Sequence, residues 1–308
     1  DPFSEILANK SLNNIKSLNF FKKINSKIED NKDTKTKTIN IFVEEKATGE
    51  IYAAAGAGTS GASMGFGVKE NNFLGNGINL DSNFTLSSNQ FKGKFTATNP
   101  NYRNSDKSLY LSAQATEDDN FKTFGYKTKK TGISVGTNFE YLNDFYLGLN
   151  TSNFYETIET NSTASAQQQK QEGNYWDSFV IFDVNYDKRN QKFQTSSGFK
   201  SFYSLNLPIV SETKTIKNYY NYSHYLSLFE KNYSSLSIYL QSANTIGSEN
   251  VKLSERISIP SYRLRGFEAG RVGPKDGDDY VGGNYAYSLN FTSNVPQFFE
   301  NSQNLDFL

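Results

Sequence analysis

A two-residue period is clearest in Ala62-Ser63-Met64-Gly65-Phe66-Gly67-Val68-Lys69, where apolar residues alternate with polar residues or glycine. Such alternation predicts a β-strand with two unlike faces, because successive side chains point to opposite sides of a sheet. Directly before it, Gly56-Ala57-Gly58-Thr59-Ser60-Gly61 matches the dinucleotide-binding pattern G-x-G-x-x-G, and Asp81 lies twenty residues beyond Gly61. A dinucleotide site requires a helix after the glycines. The alternating stretch is a poor helix, so we interpret the glycines as part of a hairpin.

The same period continues along most of the chain. Alternating runs occupy residues 51–58, 78–86, 109–115, 133–139, 145–149, 180–186, 203–207, 236–240 and 287–291. We count about twelve strands between residues 51 and 292. Short turns near Asn99 and Asn143 contrast with longer polar insertions at 157–173 and 247–283, and the glutamine-rich residues 167–171 predict a mobile loop. This pattern predicts an antiparallel transmembrane β-barrel, with long loops outside and short turns on the periplasmic side.

The composition excludes several functions. The 32 basic and 32 acidic residues give a formal net charge of +0, which provides no reason to expect a nucleic-acid partner. Cysteine is absent and the one histidine is His224, so we expect no disulfide and no histidine-based metal or catalytic site. Asp276, Asp278 and Asp279 lack the spacing of a calcium loop and predict a solvated acidic loop. Carboxylate pairs show no convergent pattern, so we expect no enzyme and no cofactor.

The hydropathy excludes a membrane-spanning helix but is compatible with a membrane barrel. The mean hydropathy is -0.64, and the chain has no run of about 18 apolar residues. Strands of a barrel alternate lipid-facing and lumen-facing residues, so their mean hydropathy stays low. Aromatic residues make up 15% of the chain, which suits the two aromatic girdles of such a barrel.

The first fifty residues follow a different pattern. Apolar residues at helical spacing between Ile6 and Leu18 predict a helix, and residues 20–29 and 38–45 predict two strands joined by a charged hairpin. Two segments resemble signatures of POTRA modules, the periplasmic units that precede a family of outer-membrane barrels. These segments are Ser17-Leu18-Asn19-Phe20-Phe21 and Glu45-Lys46-Ala47-Thr48-Gly49. A small amphipathic cap on the barrel is the alternative interpretation.

A late segment carries the most specific motif. It consists of Tyr262-Arg263-Leu264-Arg265-Gly266-Phe267, followed by Asp278-Asp279-Tyr280-Val281-Gly282-Gly283-Asn284. Arg265 and Phe267 flank Gly266, which predicts a cation and an aromatic ring presented on a tight glycine turn. The two motifs, in this order, resemble the sixth extracellular loop of the BamA family of bacterial outer-membrane insertases. Residues 56–61, 70–77, 98–100 and 187–198 resemble further turns of that family, so the resemblance covers essentially the whole chain.

The resemblance implies a mainly β fold, namely an antiparallel transmembrane β-barrel preceded by a partial α/β POTRA module. Residues 1–50 would be the C-terminal part of the last POTRA module. Residues 51–308 would be a barrel that ends before its final strands, with about twelve of the family's sixteen strands present. The resemblance also implies an upstream signal peptide and a place in the bacterial outer membrane, with the POTRA part in the periplasm.

The resemblance assigns roles to three groups of residues. Arg265, Gly266 and Phe267 would form a loop tip anchored inside the barrel, with the acidic partner of Arg265 in strands after Leu308. A second group, Asp279, Gly282, Gly283 and Asn284, would return the loop to the next strand. The third group would form a weak lateral gate in the first barrel strand, because alanine and glycine contribute little to strand pairing. It comprises Ile51, Tyr52, Ala53, Ala54, Ala55 and Gly56.

The implied activity is the catalysed folding and insertion of other β-barrels into the outer membrane, without a nucleotide or covalent chemistry. The implied partners are unfolded outer-membrane β-barrel clients, accessory assembly lipoproteins and the lipid bilayer. Two alternatives stay open. One is a translocation barrel of the same superfamily, of the two-partner secretion or organellar type. The other is a passive porin, which would lack the POTRA module and the Arg-Gly-Phe loop.

Overall fold

The computed structural model describes residues 3–31, 36–58, 61–230, 232–268, 270–294 and 306–307. Its helices are α1 (Glu5–Ser17), α2 (Phe121–Phe124) and α3 (Ala166–Gln169), and short 3-10 turns occupy Tyr102–Asn104, Leu253–Glu255 and Ser261–Arg263. The strands are β1 (Phe21–Asn31), β2 (Thr36–Glu45), β3 (Gly49–Gly58), β4 (Gly61–Phe73), β5 (Ile78–Ser87), β6 (Gln90–Asn99), β7 (Lys107–Asn120), β8 (Tyr126–Leu142), β9 (Phe145–Thr160), β10 (Gly173–Asp187), β11 (Gly198–Val210), β12 (Thr215–Leu226), β13 (Ser234–Thr245), β14 (Lys275–Asp276), β15 (Asp279–Tyr280), β16 (Tyr285–Asn294) and β17 (Asp306–Phe307).

One antiparallel sheet contains most of the chain. Its order is β3-β4-β5-β6-β7-β8-β9-β10-β11-β12-β13-β16-β17, so strands that are neighbours in sequence are neighbours in space. The strands β3 to β13 and β16 have 10 to 17 residues each, and the short β17 pairs with the end of β16. The predicted antiparallel sheet of about twelve strands is confirmed. Within the described residues β3 pairs with β4 alone, so the sheet is open along β3.

The two faces of this sheet differ as the alternation in residues 62–69 predicts. On one face, Met64, Phe66 and Val68 are 61%, 58% and 50% exposed. On the other face, polar side chains such as Glu156 and Asp177 are buried against a loop described below. We call the first face outer and the second inner. An apolar outer face and a polar inner face are typical of strands that separate lipid from a lumen.

Aromatic rings form two bands on the outer face. At the end where β3 begins, which we call the near end, the rings of Phe145, Tyr186, Phe199 and Tyr222 contact one another in series, with centroids 5.6, 5.2 and 6.0 Å apart. Toward the opposite end, the far end, Trp176 on β10 and its cross-strand partner Tyr155 on β9 are 56% and 48% exposed. Trp176 and Tyr186 are ten residues apart on β10, which is about 24 Å in height at a strand tilt near 45°. This height matches the apolar band of a membrane barrel, so the two bands have the spacing of its girdles.

The connections at the two ends differ in length. The turns near Asn99 and Asn143 lie at the near end, and the insertions at 161–172 and 246–284 lie at the far end, as predicted. The rule is not strict, because the far-end turn at 211–214 is short and the near-end connection at 188–197 is long.

Residues 167–171, predicted as a mobile loop, include the end of the short helix α3, and their mobility stays a prediction. Ser165 and Gln168 form a capping box that begins α3, and the Gln168 side chain is buried. Its amide nitrogen donates a hydrogen bond to the carbonyl oxygen of Phe124 at 2.7 Å. The Gln168 amide therefore fastens two far-end connections to each other, which the composition of the segment does not reveal.

The N-terminal elements α1, β1 and β2 lie where the sequence predicts a helix and two strands. β1 and β2 pair antiparallel in a separate sheet. Their membership in a POTRA module, and the division of the chain at residue 50, stay predictions. No helix among the described residues is long and apolar enough to cross a membrane.

We expect a charge to destabilise the outer face of β7 much more than its inner face. Leu111 is 50% exposed on the outer face, whereas Gln114 of the same strand lines the lumen. In lipid vesicles, Leu111→Arg should lower the free energy of unfolding by about 2–4 kcal/mol, and Gln114→Arg by no more than about 1 kcal/mol. Urea titrations of the two variants measure the difference. Equal losses would contradict the assignment of the faces.

Candidate functional site

The connection between β13 and β16, residues 246–284, runs along the inner face of the sheet, and we call it the inner loop. Its first half passes from the far end to mid-sheet, where Arg263 contacts Asn221 in the middle of β12. Residues 264–267 form a turn. The second half returns to the far end, where the β14–β15 hairpin lies beside α2.

A buried ion cluster holds the first half of the inner loop. The Lys252 ammonium lies 2.7 Å from Oε2 of Glu156 on β9 and also contacts Oδ2 of Asp177 on β10. All three side chains are only 1–2% exposed. Ser254 donates a hydrogen bond to Glu156 at 2.9 Å, and Ser211 donates one to Asp177 at 2.7 Å. One cation thus serves two carboxylates. Ser254 and Lys252 share Oε2 of Glu156, whereas Ser211 binds Oδ1 of Asp177, the oxygen that Lys252 does not contact.

The electrostatics of this cluster keep Lys252 charged. Burial is the largest influence on the pKa of Lys252 and would lower it, but the combined effect of Glu156 and Asp177 is greater and raises the pKa above the usual lysine value. Because the raised pKa favours the charged form, the ion pairs persist at neutral pH and are lost only as the pH rises through that value.

Further hydrogen bonds fix the backbone next to Lys252. The Leu253 N–H donates to Oε1 of Gln171 at 2.8 Å, and its carbonyl oxygen accepts from the Tyr126 hydroxyl at 3.1 Å. Oε1 of Glu255 accepts a hydrogen bond from Lys217 of β12 at 3.0 Å. Residues 252–255 are therefore fastened to β8, β9, β10 and β12.

A second attachment is made by Arg263. Its guanidinium lies 4.5 Å from the ring centroid of Tyr239 on β13, and Nη2 donates to Oδ1 of Asn221 at 2.7 Å. Its carbonyl oxygen accepts from Nδ2 of Asn290 on β16, also at 2.7 Å. Nε of Arg263 is buried and has no hydrogen-bond partner among the described residues. This residue, and not Arg265, makes the mid-sheet contact.

The predicted loop tip follows directly. Gly266 has a φ of 82°, which is the left-handed conformation of the predicted glycine turn. The side chain of Arg265 is exposed, and Phe267 is 61% exposed. No hydrogen bond or ion pair joins Arg265 to the described part of the chain. The resemblance assigns its acidic partner to strands after Leu308, so the anchoring role of Arg265, Gly266 and Phe267 stays a prediction.

The second motif returns the inner loop to the sheet. Gly282 has a φ of 70°, and Gly283 exchanges two backbone hydrogen bonds of 2.8 Å with Ile257. The carbonyl oxygen of Asn284 accepts from the Ala243 N–H at 2.8 Å, which leads directly into β16. This bridge joins the descending and returning halves of the loop at one point. Whether the motif has a role beyond closing the loop stays a prediction.

The acidic residues of the β14–β15 hairpin pack against the far-end connections. The Asp276 carboxylate accepts a hydrogen bond from the Ser165 hydroxyl at the start of α3. The Asp279 carboxylate lies directly above Gly125, where a Cβ would collide with it. Burial, followed by the neighbouring charges of Asp278 and Asp276, raises the pKa of Asp279. The hairpin is thus partly packed, which the prediction of a solvated acidic loop did not include.

The predicted gate residues Ile51, Tyr52, Ala53, Ala54, Ala55 and Gly56 all lie in β3. β3 and β4 form the hairpin predicted around the glycine pattern, with continuous register from Gly49 opposite Glu70 to Gly58 opposite Gly61. Ile51 is 85% exposed on the outer face, whereas the Tyr52 ring covers Gly67 on the inner face. The other edge of β3 has no partner among the described residues.

No group of three or more histidine, aspartate or glutamate side chains suited to a metal ion occurs among the described residues. The contacts that the inner loop makes with the sheet include ion pairs and hydrogen bonds. Exposed backbone groups along β3 add a surface for strand pairing.

An antiparallel sheet with an apolar outer face, a polar inner face and a loop held against that inner face defines an outer-membrane β-barrel with an internal loop. The family model of the Omp85 superfamily domain matches residues 72–306, and the chain belongs to this family.

Two solved structures share the fold. BamA from Haemophilus ducreyi lacking POTRA domains 1–3 matches with a TM-score of 0.84 and 20% identity, over 96% of this chain and 62% of that chain. CdiB from Acinetobacter baumannii matches with a TM-score of 0.52 and 8% identity, over 93% of this chain and 54% of that chain. The chain thus spans less than two thirds of either protein chain. No curated protein matches it. The resemblance to the BamA family is confirmed for the fold.

Two glycines of the inner loop allow a matched test of its closing bridge. Gly282 and Gly277 have φ of 70° and 64°, but a Cβ on Gly282 would lie 3.1 Å from the Ile257 carbonyl oxygen, whereas Gly277 faces open space. Each alanine substitution should cost about 1–2 kcal/mol in backbone strain. Gly282→Ala should in addition weaken the bridge to Ile257 and increase cleavage of residues 246–284 by proteinase K. Equal cleavage of Gly282→Ala and Gly277→Ala would contradict the importance of the bridge.

Proposed function

We propose that this protein catalyses the folding and insertion of β-barrel proteins into the bacterial outer membrane through a lateral gate at β3. The observation that carries the proposal is the edge of β3 that no described residue pairs with. This ten-residue strand is made largely of alanine and glycine. The proposed partners are unfolded outer-membrane β-barrel clients, accessory assembly lipoproteins and the lipid bilayer. The N-terminal 50 residues would lie in the periplasm as part of a POTRA module.

The physical basis of the proposal is that an unpaired strand edge in lipid must find a partner. Backbone N–H and C=O groups that face hydrocarbon without hydrogen bonds cost several kcal/mol each. In the closed state, the closing strands that the family resemblance implies would pair with β3. A client strand could replace them by adding to the same edge, since backbone hydrogen bonds are independent of side-chain identity. The process needs no nucleotide and no covalent intermediate.

The small side chains of β3 support a gate that opens. Ala53 and Ala55 lie on the outer face, where a β-branched residue would pack against its cross-strand neighbours. Alanine contributes little there, so the seam would open at lower cost than a seam lined by valine or isoleucine. Pairing on the other side, with β4, is continuous over the whole strand, so β3 would keep its place when the seam opens.

A second candidate function is protein translocation through the barrel. The similarity to CdiB at a TM-score of 0.52 favours this alternative. In a translocation barrel the client would pass through the lumen, which would require the inner loop to leave its contacts. A passive porin is a third candidate, but the inner loop with its buried ion cluster obstructs the inner face and argues against it.

Reconstitution separates these functions. The full-length protein in lipid vesicles is mixed with an unfolded barrel client, and the protease-resistant, inserted client is measured over time. The insertase predicts faster insertion than in empty vesicles. A stable open pore in planar bilayers, together with no acceleration of client insertion, would reject it in favour of a porin.

We expect Ala53→Val with Ala55→Val to strengthen the pairing of β3 and to slow client insertion. The reason is that valine has the higher strand propensity, and a gain of about 1 kcal/mol in pairing corresponds to about fivefold slower opening. The matched control is Ala113→Val with Ala115→Val on β7, an interior strand with neighbours on both sides. Insertion rates normalised to the amount of folded protein measure the effect. Equal rates in the two double variants would contradict a gate at β3.

We further propose that Arg265 pairs with a carboxylate in strands after Leu308, since its planar guanidinium can hold two acceptors at once. Arg265→Ala should then cost about 3–5 kcal/mol if the pair is buried, and it should increase cleavage of residues 247–283 by external protease. Arg265→Lys should restore only part of the protection. Cleavage of both variants at the wild-type rate would show that Arg265 is a solvated loop residue.

A further inference from the structure

Two polar attachments hold the inner loop to different parts of the sheet, beside the bond of Glu255 to β12 and the packing of Val251 and Ile257 against β13 and β16. Lys252 binds β9 and β10 through Glu156 and Asp177. Arg263, eleven residues later in the chain, binds β12 through Asn221 and β16 through its carbonyl group. The chain between these two points therefore crosses the inner face from the middle of the sheet to its last long strand.

This crossing restrains the distance between β9 and β16, which strand pairing alone does not fix. β9 and β16 are five strand-to-strand steps apart, which is about 24 Å measured along the sheet. The rotation between neighbouring strands ranges from about 10° to 35° in sheets generally. Small changes accumulate over five steps, so hydrogen bonds between neighbours do not fix the position of β16 relative to β9. A loop segment that is attached to both parts of the sheet does fix this position.

The two attachments differ in kind. At the first, three charged side chains are almost fully buried, and neither carboxylate has a second ion-pair partner among the described residues. At the second, Arg263 interacts with neutral amides and an aromatic ring, and its Nε has no partner in the described part of the chain. Hydrogen bonds to neutral amides are weaker than the ion pairs of the first attachment. Arg263 therefore makes its contacts only when the rest of the loop already holds it next to β12 and β16.

We propose that residues 252–263 act as a strap, and that Lys252 is the positioning residue that holds Arg263 against β12 and β16. The strap fixes the C-terminal part of the sheet relative to β9 and β10. If the protein works as an insertase, this also sets the position of the strands that lead to the gate. That last consequence rests on the proposed function, whereas the strap itself does not.

Limited proteolysis of the purified full-length protein in detergent micelles tests the first attachment. Proteinase K is suitable because its cleavage does not depend on lysine. Lys252→Met leaves two buried carboxylates uncompensated, so cleavage within residues 246–284 should rise at least about tenfold. The triple variant Lys252→Met, Glu156→Gln, Asp177→Asn also lacks the attachment but leaves no buried charge uncompensated, so its cleavage rate should lie between those of the wild type and Lys252→Met. Lys275→Met, at an exposed lysine of the same loop, serves as the control and should match the wild type.

Distance measurements test the coupling to β16. Spin labels on cysteines replacing Thr151 of β9 and Tyr287 of β16, both exposed on the outer face, report the separation of the two strands. We expect one narrow distance distribution in the wild type, a broad one in Lys252→Met and one of intermediate width in the triple variant. Arg263→Met should broaden the distribution while cleavage of residues 246–256 stays at the wild-type rate.

Each outcome bears on the strap. It is overturned if Lys252→Met leaves both cleavage and distances unchanged, or if the triple variant behaves like the single one. It is also overturned if Lys252→Met exposes the loop without broadening the distances. Should Lys252→Met fail to fold, recovery of folding in the triple variant supports the ion cluster, and failure of both overturns it. Client insertion by the wild type is measured in parallel, so failure of the insertase function is seen separately.

Discussion

The rest of this structure depends on the pairing of backbone groups in an environment without water. In hydrocarbon an N–H or C=O group has no solvent partner, so a membrane sheet must pair each strand on both sides. From β4 to β13 the described strands satisfy this with antiparallel ladders between sequence neighbours, three of which contain a register shift. β3 is paired on one side by the described residues, and this one edge is where the proposed function is located.

The inner face follows from the same constraint. An outer face given to lipid leaves the polar residues of every strand pointing inward, where charges need partners. The inner loop supplies them, since Lys252 lies between two carboxylates and Glu255 accepts from Lys217. The loop therefore neutralises charges that the sheet alone would leave buried without a partner. Its path, down to Arg263 and back to Gly283, is determined by where these partners lie.

The sequence predicted the sheet well and the interior poorly, for a physical reason. Strand identity and facing depend on neighbours two residues apart, which a single sequence displays directly. The ion cluster depends on residues far apart: Lys252 and Asp177 are separated by 75 positions. The residues next to Lys252 and Arg263 in the sequence do not indicate that these side chains are buried or bonded. The sequence analysis therefore identifies Arg265, which lies in a recognisable motif, and not Lys252 or Arg263. The one available signal is that the alternation in residues 145–149, continued along the chain, places the carboxylate of Glu156 on the face opposite to the apolar residues.

The length of β8 has a consequence for the surroundings of the protein. β8 has 17 residues, seven more than β3. Near its far end, two ion pairs lie on the outer face, one between Lys127 and Glu117 and one between Lys129 and Glu159. Such charges belong in water, so this part of the wall projects beyond the bilayer as a rim. Salt screens exposed pairs over a Debye length of about 8 Å at physiological ionic strength. The rim should therefore loosen in concentrated salt, while the enclosed Lys252 cluster is shielded from the same ions.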